Sequence, residues 1–137
     1  MKVFQGKVKS GRGKAATEMS KADGLRDWES LTGLKIIPGT LNLSLPSPVD
    51  RSLLTYIRFS ELGWDFSPAT QGIHYKGEIG MYYGRIIIAE TFPGGLVLFT
   101  WVPDLQVHGE LVSTVHLRSA LNLQNGDTVT FKLCTHG

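Results

Sequence analysis

The sequence of residues 73–102 is IHYKGEIGMYYGRIIIAETFPGGLVLFTWV, and it decides the fold class. Apolar and polar residues alternate from 73 to 80, whereas residues 82–89 and 96–102 form two more apolar runs. Alternation with a period of two is typical of a strand that is buried on one face. The pattern therefore predicts three strands, at residues 73–80, 82–89 and 96–102.

Strand-like patterns continue on both sides of this region, at residues 2–9, 40–45, 111–115 and 128–133. Only residues 23–31 have clear helical spacing, and Gly33 stands where a glycine commonly ends a helix. Residues 117–121 predict one or two helical turns, and residues 52–59 are ambiguous. Many short strands with one clear helix predict a mostly β fold, a small barrel. A doubly wound α/β fold is disfavoured because it needs a helix between successive strands.

Composition sets the class of protein. With 137 residues, 42% of them hydrophobic, the chain is long enough for one core, so we expect a single domain over residues 1–137. The lone cysteine, Cys134, excludes an internal disulfide. No apolar run reaches the roughly 18–20 residues of a membrane span, and the N-terminus turns polar too early for a signal peptide. We expect a soluble, cytoplasmic monomer.

Charge is distributed unevenly along the chain. Residues 1–26 contain seven basic and two acidic residues, although the net charge of the whole chain is only +2. A basic segment indicates an anionic ligand, but a solvated basic edge gives the same pattern. A nucleic-acid binder would interleave aromatic residues with this charge, and residues 5–27 contain no aromatic residue. We therefore expect no nucleic-acid partner.

Two early segments carry polar groups that a barrel by itself does not need. Residues 10–15, SGRGKA, form a glycine-containing loop whose backbone N–H groups and cations suit an anion, though an ordinary turn has the same composition. In the run PGTLN at 38–42, Thr40 and Asn42 are two residues apart on a predicted strand and share a face. Their oxygens suit Mg²⁺; the alternative is that both simply face solvent.

A third segment, residues 108–118, has the sequence HGELVSTVHLR. Glu110 is a candidate general base, although a single glutamate beside a strand is commonly a surface residue. Arg118 would hold either a phosphate group or the end of a helix. From the residues alone, both alternatives stay open.

In this order, the three segments resemble the CTP-dependent riboflavin kinases known mainly from archaea. The resemblance is carried by residues 8–13, 31–33, 38–43, 110 and 117–129, and its most specific parts are PGTLN at 38–42 and the Leu117-Arg118 pair followed by NGD at 125–127. It implies a six-stranded cradle-loop barrel with one or two short helices. The implied enzyme is a phosphotransferase that moves the γ-phosphoryl group of CTP to the ribityl 5′-hydroxyl of riboflavin, giving FMN and CDP.

The resemblance also implies roles for individual residues. Glu110 would be the catalytic residue and would contact the flavin together with Thr100, while Thr40 and Asn42 would bind Mg²⁺. The residues implied for nucleotide binding are Gly11, Arg12, Gly13, Lys14, Ala15, Ala16, Val115, His116, Leu117 and Arg118. Riboflavin and CTP would be the small-molecule partners, with no membrane partner.

The glycine-rich loop departs from the family pattern, which continues Gly-x-Gly-Glu-Gly. Here Lys14 replaces the glutamate and Ala15 the last glycine, and alanine does not readily adopt positive φ. The departure leaves an alternative, a barrel of the same fold that binds a flavin or nucleotide without turnover. Retention of Thr40, Asn42 and Glu110 favours the enzyme.

Overall fold

The computed structural model describes residues 2–10, 24–62, 79–100, 102 and 107–134. Its elements, in chain order, are β1 (Lys2–Lys9), α1 (Gly24–Thr32), β2 (Leu41–Ser44), a 3₁₀ turn (Arg51–Leu53), β3 (Thr55–Arg58), α2 (Phe59–Leu62), β4 (Gly80–Ile88), β5 (Phe92–Phe99), β6 (His108–Ser113), α3 (Leu117–Ala120) and β7 (Thr128–Leu133).

Six of the strands close into an antiparallel barrel in the order β4-β5-β6-β2-β1-β7, with β7 pairing back onto β4. The first half of β4 pairs with β3, which lies outside the closed ring, and the second half pairs with β7. The prediction of a mostly β, six-stranded barrel is confirmed. Two predicted strands, now β1 and β7, have the predicted bounds.

The barrel interior is filled by the apolar side chains that alternate along each strand. Leu43, Leu96 and Leu111 are completely buried there, and Phe131 is 1% exposed. All six barrel strands contribute to this one cluster, which is completed by Val8, Leu41, Ile86, Ile88, Leu98, Val129 and Leu133 among others. Burial at every second position therefore specifies which face of each strand points inward.

A second apolar cluster covers part of the barrel's outer wall. Trp28 of α1 is 6% exposed and belongs to a cluster with Met81, Val97 and Val112, which occupy the opposite strand face from the barrel core. Helix α1 thus packs outside the barrel, as predicted. Its last turn is fixed by Thr32, whose hydroxyl donates a hydrogen bond to the carbonyl of Trp28 at 2.7 Å.

Some predicted bounds were wrong. Strand β5 begins at Phe92 rather than at 96 and ends at Phe99, so it includes Gly94 and Gly95. A Cβ at Gly95 would lie 2.4 Å from the Tyr83 ring, so the missing side chain is what permits this contact. Strand β6 begins at His108 rather than at 111. Most of the predicted strand at 73–80 lies outside the described residues.

Within the described part of the chain, no helix has the length and apolar character needed to cross a membrane. The predictions of a cytoplasmic location, a monomeric state and a single domain over 1–137 stay predictions.

Candidate functional site

The candidate site lies on the outer wall of the barrel, where β2 and β6 pair. Because Leu41 and Leu43 point into the barrel, the intervening Asn42 belongs to the outer face. On β6, the inward position is Leu111, and Glu110 directly opposes Asn42 in the β2–β6 ladder. That Thr40 and Asn42 share a strand face stays a prediction, because Thr40 precedes β2.

Glu110 is held by hydrogen bonds at both carboxylate oxygens. The Thr40 hydroxyl donates to Oε1 at 2.6 Å, and Nε2 of His108 lies 3.3 Å from Oε2. Because an ionised carboxylate only accepts hydrogen bonds, this contact is a hydrogen bond to ionised Glu110 when Nε2 of His108 carries the proton. Thr40 and Glu110 are 70 residues apart in sequence, and the β2–β6 pairing brings them together.

Both members of the second contact are buried. Glu110 is 9% exposed and His108 is 8% exposed. Burial of a carboxylate removes its hydration, and hydrogen bonds to the charged group compensate for part of that cost. The expectation that a glutamate at this position is a surface residue does not hold. The carboxylate therefore lies in the barrel wall with both of its oxygens in contact with neighbouring side chains.

A row of three outer-face positions runs across β1, β2 and β6. Lys9 pairs with Asn42, and Asn42 pairs with Glu110. Directly opposed side chains on one face have Cβ atoms about 4.5–5.5 Å apart. An amide position therefore lies between a cationic and an anionic position on this wall.

The residues at this position suit a divalent cation. Thr40 and Asn42 offer a hydroxyl and an amide oxygen, and Mg²⁺ prefers such hard oxygen ligands. The Thr40 hydroxyl proton is directed to Glu110, so the lone pairs on Thr40 Oγ1 point away from that bond. Asn42 is half-buried, which leaves its side chain reachable. The donor set fits the implied metal ion.

A second polar group fixes the end of β1. The guanidinium of Arg118 donates from Nη2 to Asn125 Oδ1 at 2.8 Å and to the backbone carbonyl of Lys9 at 3.4 Å. Asn125 in turn donates from Nδ2 to the hydroxyl of Ser10 at 2.9 Å. These contacts hold Lys9 at the end of β1 and Ser10, the first residue of the glycine-rich loop. The predicted nucleotide-binding residues Gly11, Arg12, Gly13, Lys14, Ala15 and Ala16 lie outside the described residues.

The other predicted nucleotide-binding segment, residues 115–118, leads into α3. His116 is the N-cap residue of this helix, and its Nδ1 accepts a hydrogen bond from the backbone N–H of Ser119. Leu117 is 5% exposed and its side chain packs in the barrel core, with Val115 packed against that core. The segment follows β6 directly and, through Arg118, contacts the end of β1.

Thr100, the predicted flavin contact, lies just beyond the end of β5. Its hydroxyl accepts a hydrogen bond from the backbone N–H of Gly80 at 3.1 Å. Val97 is the β5 residue that pairs with Glu110, so Thr100 is three residues, about 10 Å of extended chain, further along the strand. Thr40, Asn42 and Glu110 therefore form one group, and Thr100 lies apart from it.

His108 is the residue of this site to which sequence reasoning gave no role. The sequence pattern predicts a strand that starts at 111, so His108 and Glu110 both fall before the predicted strand and their alternation is not part of it. Extending the alternation three residues towards the N-terminus places both side chains on one face. That signal would have identified the pair.

The fold and this site define a small closed β barrel that carries a buried, doubly hydrogen-bonded carboxylate on its outer wall. A family model described as a domain of unknown function, DUF120, and labelled as CTP-dependent riboflavin kinase matches residues 8–133. The chain belongs to this CTP-dependent riboflavin kinase family. No curated protein matches the chain.

Proposed function

We propose that the protein is a CTP-dependent riboflavin kinase that converts riboflavin and CTP to FMN and CDP. The observation that carries the proposal is the contact between Thr40 and Glu110 at 2.6 Å, which joins the predicted metal ligand to the predicted catalytic carboxylate. Family membership over residues 8–133 supports the same reaction.

Glu110 is the proposed general base. Its carboxylate orients the ribityl 5′-hydroxyl of riboflavin and accepts the hydroxyl proton as the oxygen bonds to the γ-phosphorus of CTP and the bond to the CDP oxygen breaks. Phosphoryl transfer depends mainly on positioning and charge neutralisation. A carboxylate with both oxygens hydrogen-bonded provides such positioning, because it is oriented before the substrate arrives.

Thr40 and Asn42 are the proposed metal ligands. Their oxygens would hold Mg²⁺, which when bound neutralises charge on the phosphate oxygens of the nucleotide. The hydrogen bond from Thr40 to Glu110 ties the position of this ligand to that of the base. The two functions are thereby kept in a fixed relation on neighbouring strands.

The nucleotide is proposed to lie between the glycine-rich loop and the segment that leads into α3. Arg118 supports this arrangement by bonding the carbonyl of Lys9 and, through Asn125, the hydroxyl of Ser10. The loop then starts from a fixed point next to residues 115–118. Thr100 remains the proposed flavin contact.

The test is to incubate the purified protein with riboflavin, CTP and Mg²⁺ and to separate FMN from riboflavin by chromatography. We expect FMN and CDP in equal amounts, and no FMN when Mg²⁺ is chelated. Binding of riboflavin or CTP without FMN formation would instead support the non-catalytic barrel that the altered loop at Lys14 and Ala15 leaves as the alternative.

A further inference from the structure

We propose that His108 is a positioning residue that holds Glu110 in its catalytic orientation through an Nε2–H hydrogen bond. The inference rests on the proposed function, in which Glu110 is the base, and extends it to a residue with no role in that proposal. It starts from the buried contact of 3.3 Å between His108 Nε2 and Glu110 Oε2.

The geometry explains why one donor is not sufficient. The terminal torsion of a glutamate side chain is broad and poorly restricted, so a carboxylate bonded only through Thr40 keeps rotational freedom about that contact. The bond from His108 fixes the other oxygen. Because Thr40 immediately precedes β2 and His108 lies on β6, the two contacts come from neighbouring parts of the barrel wall and together define the plane of the carboxylate.

Because the contact between His108 and Glu110 is buried, its loss would strongly affect the carboxylate. The side chains of His108 and Glu110 are 10% and 12% exposed, so water has little access to replace a lost donor. A hydrogen bond to a charged group is roughly twice as strong as a neutral one. Removing the His108 donor would therefore leave Oε2 poorly satisfied and allow the carboxylate to turn.

The roles of the two donors differ. Thr40 is also a proposed metal ligand, so its hydroxyl has a second role in the proposed function. His108 belongs to β6, as Glu110 does, and lies opposite Ser44 in the β2–β6 ladder. We therefore assign the orienting role to His108, which has no second role in the proposed function.

The kinetic test compares two substitutions of similar size. His108→Leu removes the donor, whereas His108→Gln can return an N–H group near the position of Nε2. We expect His108→Leu to lower kcat by about 10- to 100-fold, as for other small misplacements of a catalytic group, with little change in KM for either substrate. His108→Gln should recover most of the lost kcat. Ser44→Ala, at the exposed position opposite His108, is the matched control and should keep wild-type kcat.

Equal losses in the Leu and Gln variants, or a change confined to KM, would contradict the proposal. A double mutant provides a further check, because His108→Leu should cost nothing more in a Glu110→Gln background, where there is no base left to orient. An additional loss of kcat in that background would show that His108 acts by another route.

Nitrogen-15 NMR of the imidazole tests the hydrogen bond independently of turnover. We expect a slowly exchanging proton on Nε2 of His108 in the wild type, with a resonance that shifts in Glu110→Gln because the amide is a weaker acceptor. A proton found on Nδ1 alone, or an unchanged Nε2 resonance, would overturn the positioning role. An inactive wild type that shows the expected NMR signal would refute the kinase proposal and leave the hydrogen bond established.

Discussion

Two parts of the barrel's outer wall have opposite chemistry, and we call them the apolar half and the polar half. In the apolar half, Met81, Val97 and Val112 pack beneath Trp28 of α1. In the polar half, on β2 and β6, the conspicuous group is the buried carboxylate of Glu110 with its two donors. Val97 and Glu110 are opposed in the β5–β6 ladder, and Val112 follows Glu110 two residues further along β6, so the two halves adjoin each other on these strands.

The apolar half is explained by its contribution to stability, whereas the polar half is explained by function. Burying apolar surface stabilises the fold by about 25 cal/mol per Å², which accounts for the apolar half. Burying a carboxylate costs free energy that its hydrogen bonds only partly recover. A fold that needed only to cover its outer wall would gain more from apolar residues at 108 and 110. Buried polar residues at positions where apolar residues would stabilise the fold more are expected at functional sites.

The largest effect is expected from Glu110→Gln in the polar half. The amide keeps the size of the side chain and an acceptor for Thr40, but it cannot take up a proton. We expect kcat to fall by about 10²- to 10⁴-fold with nucleotide affinity nearly unchanged, measured by steady-state kinetics. Glu61→Gln, at an exposed position in α2, is the charge-matched control. An unchanged kcat in Glu110→Gln would reduce Glu110 to a structural residue.

In the apolar half, Trp28→Ala should affect stability instead of chemistry. Truncating a buried tryptophan typically lowers the free energy of unfolding by about 3–5 kcal/mol, and Trp28 is 6% exposed. Urea unfolding measures the loss, with the exposed neighbour Glu29→Ala as control. A loss below about 1 kcal/mol, the typical effect of any substitution, would mean that α1 is not required to cover this wall.

Asn42→Leu tests the proposed metal ligand in the polar half. Leucine keeps approximately the size of the side chain and removes the oxygen, so the Mg²⁺ concentration needed for half-maximal turnover should rise by roughly tenfold, which corresponds to about 1.4 kcal/mol. Ser44→Leu, at the next outer-face position of β2, controls for the added apolar surface. An unchanged Mg²⁺ requirement in Asn42→Leu would remove Asn42 from the site.

The smallest effect is expected from Tyr83→Phe, at the edge of the apolar half. The hydroxyl of Tyr83 is buried, with no hydrogen-bond partner among the described residues, and desolvation raises the pKa of this phenol above its usual value of 10.0. The unfolded chain therefore ionises first, and Tyr83 loses its contribution to stability as pH rises above about 10.

Tyr83→Phe should leave the free energy of unfolding at pH 7 unchanged or slightly higher, because no hydrogen bond is lost. It should also reduce the loss of stability between pH 9 and pH 11, measured by urea unfolding at each pH. Destabilisation by Tyr83→Phe at pH 7 would show that the hydroxyl has a partner in solution.

Local patterns predicted much of this molecule. The alternation in residues 2–9 and 128–133 matched β1 and β7, and the helical spacing near Trp28 matched α1 within one residue at each end. The chemistry of Thr40 and Glu110 predicts both as site residues from the sequence, and the structure brings their side chains into contact. Strand alternation and oxygen chemistry are local properties, so the sequence carries them directly.

Features that depend on neighbouring strands were not predictable in the same way. Gly94 and Gly95 weaken a strand pattern, yet both belong to β5. Glycine is needed there because the carbonyl of Val112 and the ring of Tyr83 come too close for any side chain. The start of β6 at His108 is set by pairing with Ser44. The closure of β4 onto β7 has no local signature in the sequence.

The most direct test of a CTP-dependent kinase built on this barrel is kcat/KM for CTP, UTP, ATP and GTP, measured with riboflavin at one Mg²⁺ concentration. We predict the highest value for CTP, in keeping with the family to which residues 8–133 belong. We expect the replacements at Lys14 and Ala15 to reduce the ratio of kcat/KM for CTP to kcat/KM for UTP. A preference for ATP of tenfold or more, about 1.4 kcal/mol in transition-state binding, would contradict the proposed function.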